Sequence, residues 1–420
     1  MRVSICKSGI KGSVKAPPSK SYTIRGLVCA ALANGKSEIL NPLTSDDTEA
    51  CQDVLRQVGI RIKQGKNSWE INGGEFEKPQ ADLFCRESAA ALRFMTAISS
   101  VIPGQCRLTA APSLARRPIR PLIEALGQLS VDCRYQDSDS SVIVNGANLK
   151  GGTADLPGNI SSQFVSALLF ISPFAEEGII IELTTPLESR PFVLMTIECL
   201  KAFGIKVNYS EDMREFRIEK QSYRPTGYMV EGDWSSASYL LALGALSGEA
   251  EVGNLNPKSA QGDKAILDIL RDMGASVSVS GKSIIIRKSK LKSIKTNLAD
   301  CIDLLPTVAV LAATVDGTSE FTGIERARLK ESDRPSALKE GLERMGVKVV
   351  EEKNKMIVTG SQVKGSVIDT RGDHRIAMAF SLLGTVAGET IIENAECVSK
   401  TYPEYWDALR KIGGEVKIDE

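Results

Sequence analysis

The residues best suited to chemistry sit in a few short polar segments. Ala115-Arg116-Arg117-Pro118, Leu329-Lys330-Glu331-Ser332-Asp333-Arg334 and Gly372-Asp373-His374-Arg375 concentrate guanidinium groups and acids at turn-like positions. Three guanidiniums, Arg117, Arg334 and Arg375, could clamp a small dianion through paired N–H donors. The plainer reading of Lys330, Glu331, Asp333 and Arg334 is a solvated face of i, i+3 and i, i+4 ion pairs, each worth only a few tenths of a kcal/mol. Asp303 lies in the apolar run Cys301-Ile302-Asp303-Leu304-Leu305-Pro306, heading an Ala/Val-rich helix. There it is either a desolvated general base or a helix cap.

Two further segments open helices with small polar residues. Ser19-Lys20-Ser21 precedes an apolar helix expected over 26–33, and Ser161-Ser162-Gln163 precedes another expected over 164–171. Free backbone N–H groups at a helix start attract a phosphate or carboxylate, and hydroxyls or an amide add contacts without charge. The alternative in each case is a simple cap. Ser189-Arg190-Pro191-Phe192 repeats the pattern, whereas Asp46 and Asp47, in Thr44-Ser45-Asp46-Asp47-Thr48, read mainly as capping residues.

Positioning these segments requires a repeating scaffold, and the sequence contains one. An Ala/Leu-rich stretch followed by glycine and a β-type run recurs at Gly35, Gly104, Gly178, Gly248, Gly317 and Gly388. A second series, Leu-x-x-apolar-Gly, begins at Leu55, Leu126, Leu200, Leu270, Leu342 and Leu409, with Ser130 in place of glycine in the second copy. Each copy looks like a helix end, a glycine suited to positive φ and a departing strand. Two such transitions per unit of about 70 residues, six times over, predict packed α/β layers, with three units in each of two domains.

Composition narrows the class without naming a partner. The 420 residues carry 52 basic and 52 acidic groups, so no global field favours nucleic acid or a membrane surface, and an anion site must be built locally. The nine cysteines are scattered without a C-x-x-C pair and read as reduced, buried thiols. No window predicts a signal peptide or a membrane span, which points to the cytoplasm. The single histidine, His374, argues against a His-rich metal site or a Ser-His-Asp triad.

Taken in order, these segments resemble the enolpyruvyl transferase superfamily, and within it the 5-enolpyruvylshikimate-3-phosphate synthases. The likeness spans the chain: Pro17 to Arg25, Leu92-Arg93-Phe94, Arg117-Pro118, Ser161-Ser162-Gln163, Ser189-x-Pro191, Gly232-Asp233-Trp234-Ser235-Ser236-Ala237, Lys330 to Arg334, Asp373-His374-Arg375 and Lys400-Thr401-Tyr402-Pro403. It implies an α/β fold, a two-domain inside-out α/β barrel of six βαβαββ repeats, three per domain. One domain would comprise 1–14 with 230–420, the other 15–229, with substrates in the cleft where helix starts converge. The implied reaction transfers the enolpyruvyl group of phosphoenolpyruvate to shikimate 3-phosphate through a tetrahedral intermediate, without metal or cofactor and with no nucleic-acid or membrane partner. A monomer is expected on the same ground.

By the same resemblance, Lys20, Ser21, Arg25, Ser161, Ser162, Gln163, Ser189, Asp303 and Lys330 would bind shikimate 3-phosphate. Lys20, Ala89, Arg117, Gln163, Arg334, Arg375 and Lys400 would hold phosphoenolpyruvate, and Asp303, Glu331 and Lys20 would move protons. Three positions depart from the family pattern: Ala89 stands where glycine is usual, Phe192 replaces a tyrosine, and Arg326 replaces an asparagine. The methyl group of Ala89 is expected to crowd the herbicide glyphosate more than the substrate. Three rivals remain to be separated: the sister enzyme acting on UDP-N-acetylglucosamine, a silent anion-binding protein, and an RNA-processing relative. The sister enzyme carries a cysteine or aspartate on a mobile loop; the corresponding Leu114 to Arg117 has no cysteine, and Ser161-Ser162-Gln163 fits the shikimate branch.

Overall fold

The structure, a computed structural model, describes residues 1–146 and 149–419. The chain divides into two compact units, Met1–Pro17 with Glu231–Glu420, and Pro18–Val230. Each contains three four-stranded sheets, and all six sheets share one plan. A parallel pair is followed by two antiparallel partners, as in Gly152–Leu156 beside Ile179–Leu183, then Glu215–Ile218, then Asn208–Tyr209. In this sheet a helix, Ser162–Ile171, crosses over between the parallel strands, and a second, Arg190–Ala202, carries the chain from Ile179–Leu183 over Glu215–Ile218 to Asn208–Tyr209, which gives the two helix-to-strand transitions per unit.

The two helices of each repeat have different burdens. The first is wrapped on nearly all sides: Leu305–Ala313 is wholly buried, and Trp234–Ser247 and His374–Ala387 pack against it and against each other. These helices are apolar all round, as a central position demands. The second is amphipathic, as in Arg120–Gln128, where only Leu122, Ile123, Ala125 and Leu126 are buried. In the other unit the enclosed helices are Lys20–Leu32, Ala89–Ile98 and Ser162–Ile171. Phe94 and Phe170 meet edge to face at 5.0 Å between the last two, and burying each ring contributes on the order of 2–3 kcal/mol.

The helix starts lie further upstream than hydrophobicity alone predicts. Lys20 and Ser21 form the first turn of Lys20–Leu32, and Ser162 and Gln163 that of Ser162–Ile171. Apolar periodicity marks the buried body of a helix, whereas polar residues of the first turn carry no such signal.

The second glycine series adopts positive φ throughout, from +84° at Gly204 to +97° at Gly413, and Ser130 follows at +62°. The first series has one exception. Gly248 has φ 166°, extended backbone open to any residue; it is needed because a Cβ there would collide with the Ile10 carbonyl of the parallel neighbour strand. Strand Arg2–Ile5 lies inside its sheet, antiparallel to Thr390–Glu393 on one side and Val416–Asp419 on the other.

Candidate active site

In the unit Pro18–Val230, polar side chains gather at the starts of the enclosed helices. Ser19 caps Lys20–Leu32 by accepting from Tyr22 N, leaving Lys20 to reach Asp47 Oδ2 at 2.7 Å. Asp47 is therefore an ion-pair partner and not a cap. Capping of Asp46–Gln57 falls to Ser45, whose backbone N–H donates to Thr48 Oγ1 at 2.9 Å.

Arg25, 2% exposed, donates from Nε to Thr196 Oγ1 at 2.8 Å, from Nη1 to Ser21 O at 3.1 Å and from Nη2 to Phe192 O at 3.1 Å. Its guanidinium also lies 5.6 Å from the Phe94 ring centre. Burial lowers its pKa from the usual arginine value. Three donors spent on the protein fix the plane of the group, leaving two N–H groups for a ligand.

Arg93 joins the polar starts of two other segments. Its Nη1 donates to Ser161 Oγ at 3.1 Å and Gln163 Oε1 at 2.8 Å, and Nη2 donates to Pro118 O at 2.9 Å, beside Arg117. Ser161 caps its helix from extended backbone, and Ser162 is buried just inside. Ser189, 3% exposed, holds φ +55° ahead of Arg190–Ala202. Ala89 is the first residue of Ala89–Ile98, capped by Ser88. The short helix Pro112–Ala115 turns into Arg117, whose N–H donates to Leu114 O at 2.9 Å.

The other unit assembles a dense charge cluster around Asp303. Arg334 Nη1 donates to Asp303 Oδ1 at 2.7 Å, Lys330 Nζ lies 3.3 Å from the same oxygen, and Arg375 Nη2 lies 3.3 Å from Oδ2. Arg334, 1% exposed, also binds Asp373 Oδ2 through Nε at 2.8 Å and Glu331 Oε2 through Nη2 at 2.7 Å. Lys400 Nζ reaches Glu331 Oε1 at 3.8 Å. Asp303, Lys330, Glu331, Arg334, Arg375 and Lys400 thus form one network, which excludes a solvated ion-pair face. Asp303 sits in a 3-10 turn, Ile302–Leu304, and its side chain caps no helix. Between base and cap, the geometry selects the ion-paired carboxylate.

Burial alone would raise the Asp303 carboxyl, but Arg375, Lys330 and Arg334 override it and hold the group well below the ordinary range. Arg334 and Arg375 are pushed up despite burial, by Asp373, Glu331 and Asp303 in the first case and chiefly by Asp303 in the second. Burial brings the Lys330 amine down to about 8, partly opposed by Asp303. The site is thus a set of cations neutralised by the protein's own carboxylates.

A family model described as EPSP synthase (3-phosphoshikimate 1-carboxyvinyltransferase) matches residues 6–409. The chain belongs to the EPSP synthase family. A relative named 3-phosphoshikimate 1-carboxyvinyltransferase from Dehalococcoides mccartyi is 46% identical, with all of both chains covered. One of the same name from Methanothermobacter thermautotrophicus is 41% identical over the full length of both. Among solved structures, an EPSP synthase from Acinetobacter baumannii superposes with a TM-score of 0.83 at 25% identity, covering 99% of this chain and 100% of that one. The enolpyruvyl transferase NikO from Streptomyces tendae, at 18% identity and TM-score 0.80, covers 99% of this chain and 98% of its own and shares the fold.

For this EPSP synthase family member, sequence reasoning left several site residues without a role. Asp373 in Asp373-His374-Arg375 gives no local sign of its grip on Arg334, 39 residues away, and Leu92-Arg93-Phe94 gives none of the bridge from Arg93 to Ser161 and Gln163. Asp263 carried no signal beyond an acid following Gln-Gly. Among the described residues no helix is long and apolar enough to cross a membrane.

Proposed function

We propose that this protein transfers the enolpyruvyl group of phosphoenolpyruvate to the 5-hydroxyl of shikimate 3-phosphate and releases phosphate. The observation that carries this reading is the cluster in which Lys330, Arg334 and Arg375 surround one buried carboxylate, Asp303, in a chain of the EPSP synthase family. Arg334, Arg375 and Lys400 would receive phosphoenolpyruvate together with Arg117, Ala89 and Gln163. Lys20, Ser21, Arg25, Ser161, Ser162, Gln163, Ser189 and Lys330 would receive shikimate 3-phosphate. This assignment is supported by the gathering of hydroxyls and amides at helix starts in one unit and of cations in the other.

In the addition step, the 5-hydroxyl oxygen bonds to C2 of phosphoenolpyruvate, its proton passes to Asp303, and C3 gains a proton from Glu331 or Lys20. In the elimination step, C3 returns a proton to the Glu331 or Lys20 group that supplied one, the C3–H electron pair re-forms the double bond, and the C2–O bond breaks with its pair leaving on inorganic phosphate. Asp303 is a weak base while three cations hold it. An anion that draws Arg334 and Arg375 to itself releases that hold and raises the carboxyl's proton affinity, so the base is activated by the substrate it serves. The same cations then stabilise phosphate as it departs.

Purified protein should release phosphate from phosphoenolpyruvate with shikimate 3-phosphate as acceptor and not with UDP-N-acetylglucosamine. Release with the latter alone would refute the reading.

A further inference from the structure

Resting on the enolpyruvyl-transfer reading, we propose that Asp263 is a positioning residue that takes up a proton from solvent when an anion binds at Arg375, so that the guanidinium's charge passes from two carboxylates to the ligand. Asp263 is 3% exposed and lies in the 3-10 turn Gly262–Ala265, packed against the helix Trp234–Ser247 and the turn Ile302–Leu304. Ser235 Oγ donates to its Oδ2, while Oδ1 is buried without a hydrogen-bond partner among the described residues. The groups that face it are Asp303 and Cys301 from the segment heading Leu305–Ala313, Arg375 from the start of His374–Ala387, and Asp233 and Ser235 from the start of Trp234–Ser247. Its neighbour Lys264 points elsewhere, donating from Nζ to Ser259 O at 2.8 Å.

An ionised carboxylate with one oxygen bare of donors carries an uncompensated desolvation cost, which the neutral acid largely avoids. Arg375 touches Asp303 and acts on Asp263 only through space, and Asp303 has Arg334 and Lys330 as well. The proton therefore settles on Asp263. Burial, then Asp303, push its carboxyl up to about 7, opposed by Arg375 and the Ser235 hydrogen bond. Negative charge arriving at Arg375 removes part of that opposition and draws the proton on.

The test uses the full-length protein with aspartate labelled by ¹³C at the side-chain carboxyl and inorganic sulfate, an anion that does not titrate near neutrality. The resonance lost in Asp263→Asn should titrate near pH 7 without sulfate and at least one unit higher at saturation. Ser235→Ala, which removes a hydrogen bond favouring the ionised form, should also raise the midpoint and identifies the resonance if the first variant folds poorly. Sulfate affinity should fall by up to about tenfold per pH unit above the midpoint, a slope that Asp263→Asn loses. A carboxyl that stays ionised from pH 5 to 9, or a midpoint indifferent to sulfate, overturns the proposal. Enolpyruvyl transfer by the wild type, measured alongside, separates the two readings: transfer with an unmoved midpoint sinks only the role of Asp263, and a moved midpoint without transfer sinks only the reaction.

Discussion

Replacing Asp303 by asparagine keeps the shape of the side chain and removes one negative charge from the contact distance of three cations. Arg334 retains Asp373 and Glu331, but its 2.7 Å ion pair to Asp303 is lost, together with the 3.3 Å approaches of Lys330 and Arg375. Uncovering buried charge in this way costs about 3–5 kcal/mol. For a domain of this size that lowers the melting temperature by roughly 6–20 °C, and sulfate or phosphate should restore much of the loss by replacing the missing charge. The wild-type contribution has a defined pH window. Because the folded carboxyl is held below its unfolded value, the stability it provides is fully present above about pH 4 and is lost only as pH falls through the folded value. Chemistry and binding should move in opposite directions. Turnover, followed as phosphate release at saturating shikimate 3-phosphate, should fall about 10²–10⁴-fold for loss of a general base, while phosphoenolpyruvate binds as well as in the wild type or more tightly. A folded Asp303→Asn protein turning over within tenfold of wild type would refute the proton-accepting role. Weakened binding at normal turnover would refute the competition between Asp303 and the incoming anion.

Other perturbations separate chemistry from scaffolding. Lys20→Met should lower turnover at least 100-fold and also destabilise the protein by about 3 kcal/mol, because it removes the 2.7 Å ion-pair partner of the nearly buried Asp47 carboxylate; an unchanged melting curve would show that the pair carries no structural load. Arg25→Met strips three buried hydrogen bonds and should destabilise the protein by about 3 kcal/mol or more in denaturant titration. The initial rate at subsaturating substrate should decline above pH 8 as Lys330 loses its proton, and Lys330→Arg should extend the plateau upward. Ala89→Gly should increase inhibition by glyphosate at least tenfold, and an unchanged inhibition constant would show that the methyl group is not what excludes it. Ser130→Gly, at φ +62°, should stabilise by up to about 1 kcal/mol, read as a rise in melting temperature.

The scaffold was legible because its signal is repeated. One glycine after a helix says little, but a seryl residue held at φ +62° in the slot where five other repeats place glycine shows that the backbone, more than the residue, is what recurs. The site was legible residue by residue only where polar groups sit together in sequence. Asp303 left base and cap open because both roles call for an acid ahead of an apolar helix, and its distances to Arg334, Lys330 and Arg375 remove only the cap. Asp47 was misplaced for the same reason: an acid in a first turn looks like a cap until Lys20, 27 residues away, is seen to hold it. Asp263 was silent because its meaning lies in neighbours about 40 and 110 positions downstream, a separation no local pattern encodes.

The placement of Arg2–Ile5 inside its sheet has a temporal consequence. Strand Arg2–Ile5 is made long before its neighbours Thr390–Glu393 and Val416–Asp419, so at about 5–20 residues per second it waits roughly 20–80 s for partners. Meanwhile Pro18–Val230 is contiguous and can complete its sheets while synthesis continues. During that interval the nascent chain exposes an unpaired strand bearing Val3 and Ile5, both fully buried at the end. Its early vulnerability is to aggregation and chaperone capture. Linking 420 to 1 and opening the chain at a surface turn would place those three strands close together in time, shortening the wait at the cost of the ion pair between the Met1 ammonium and Glu396.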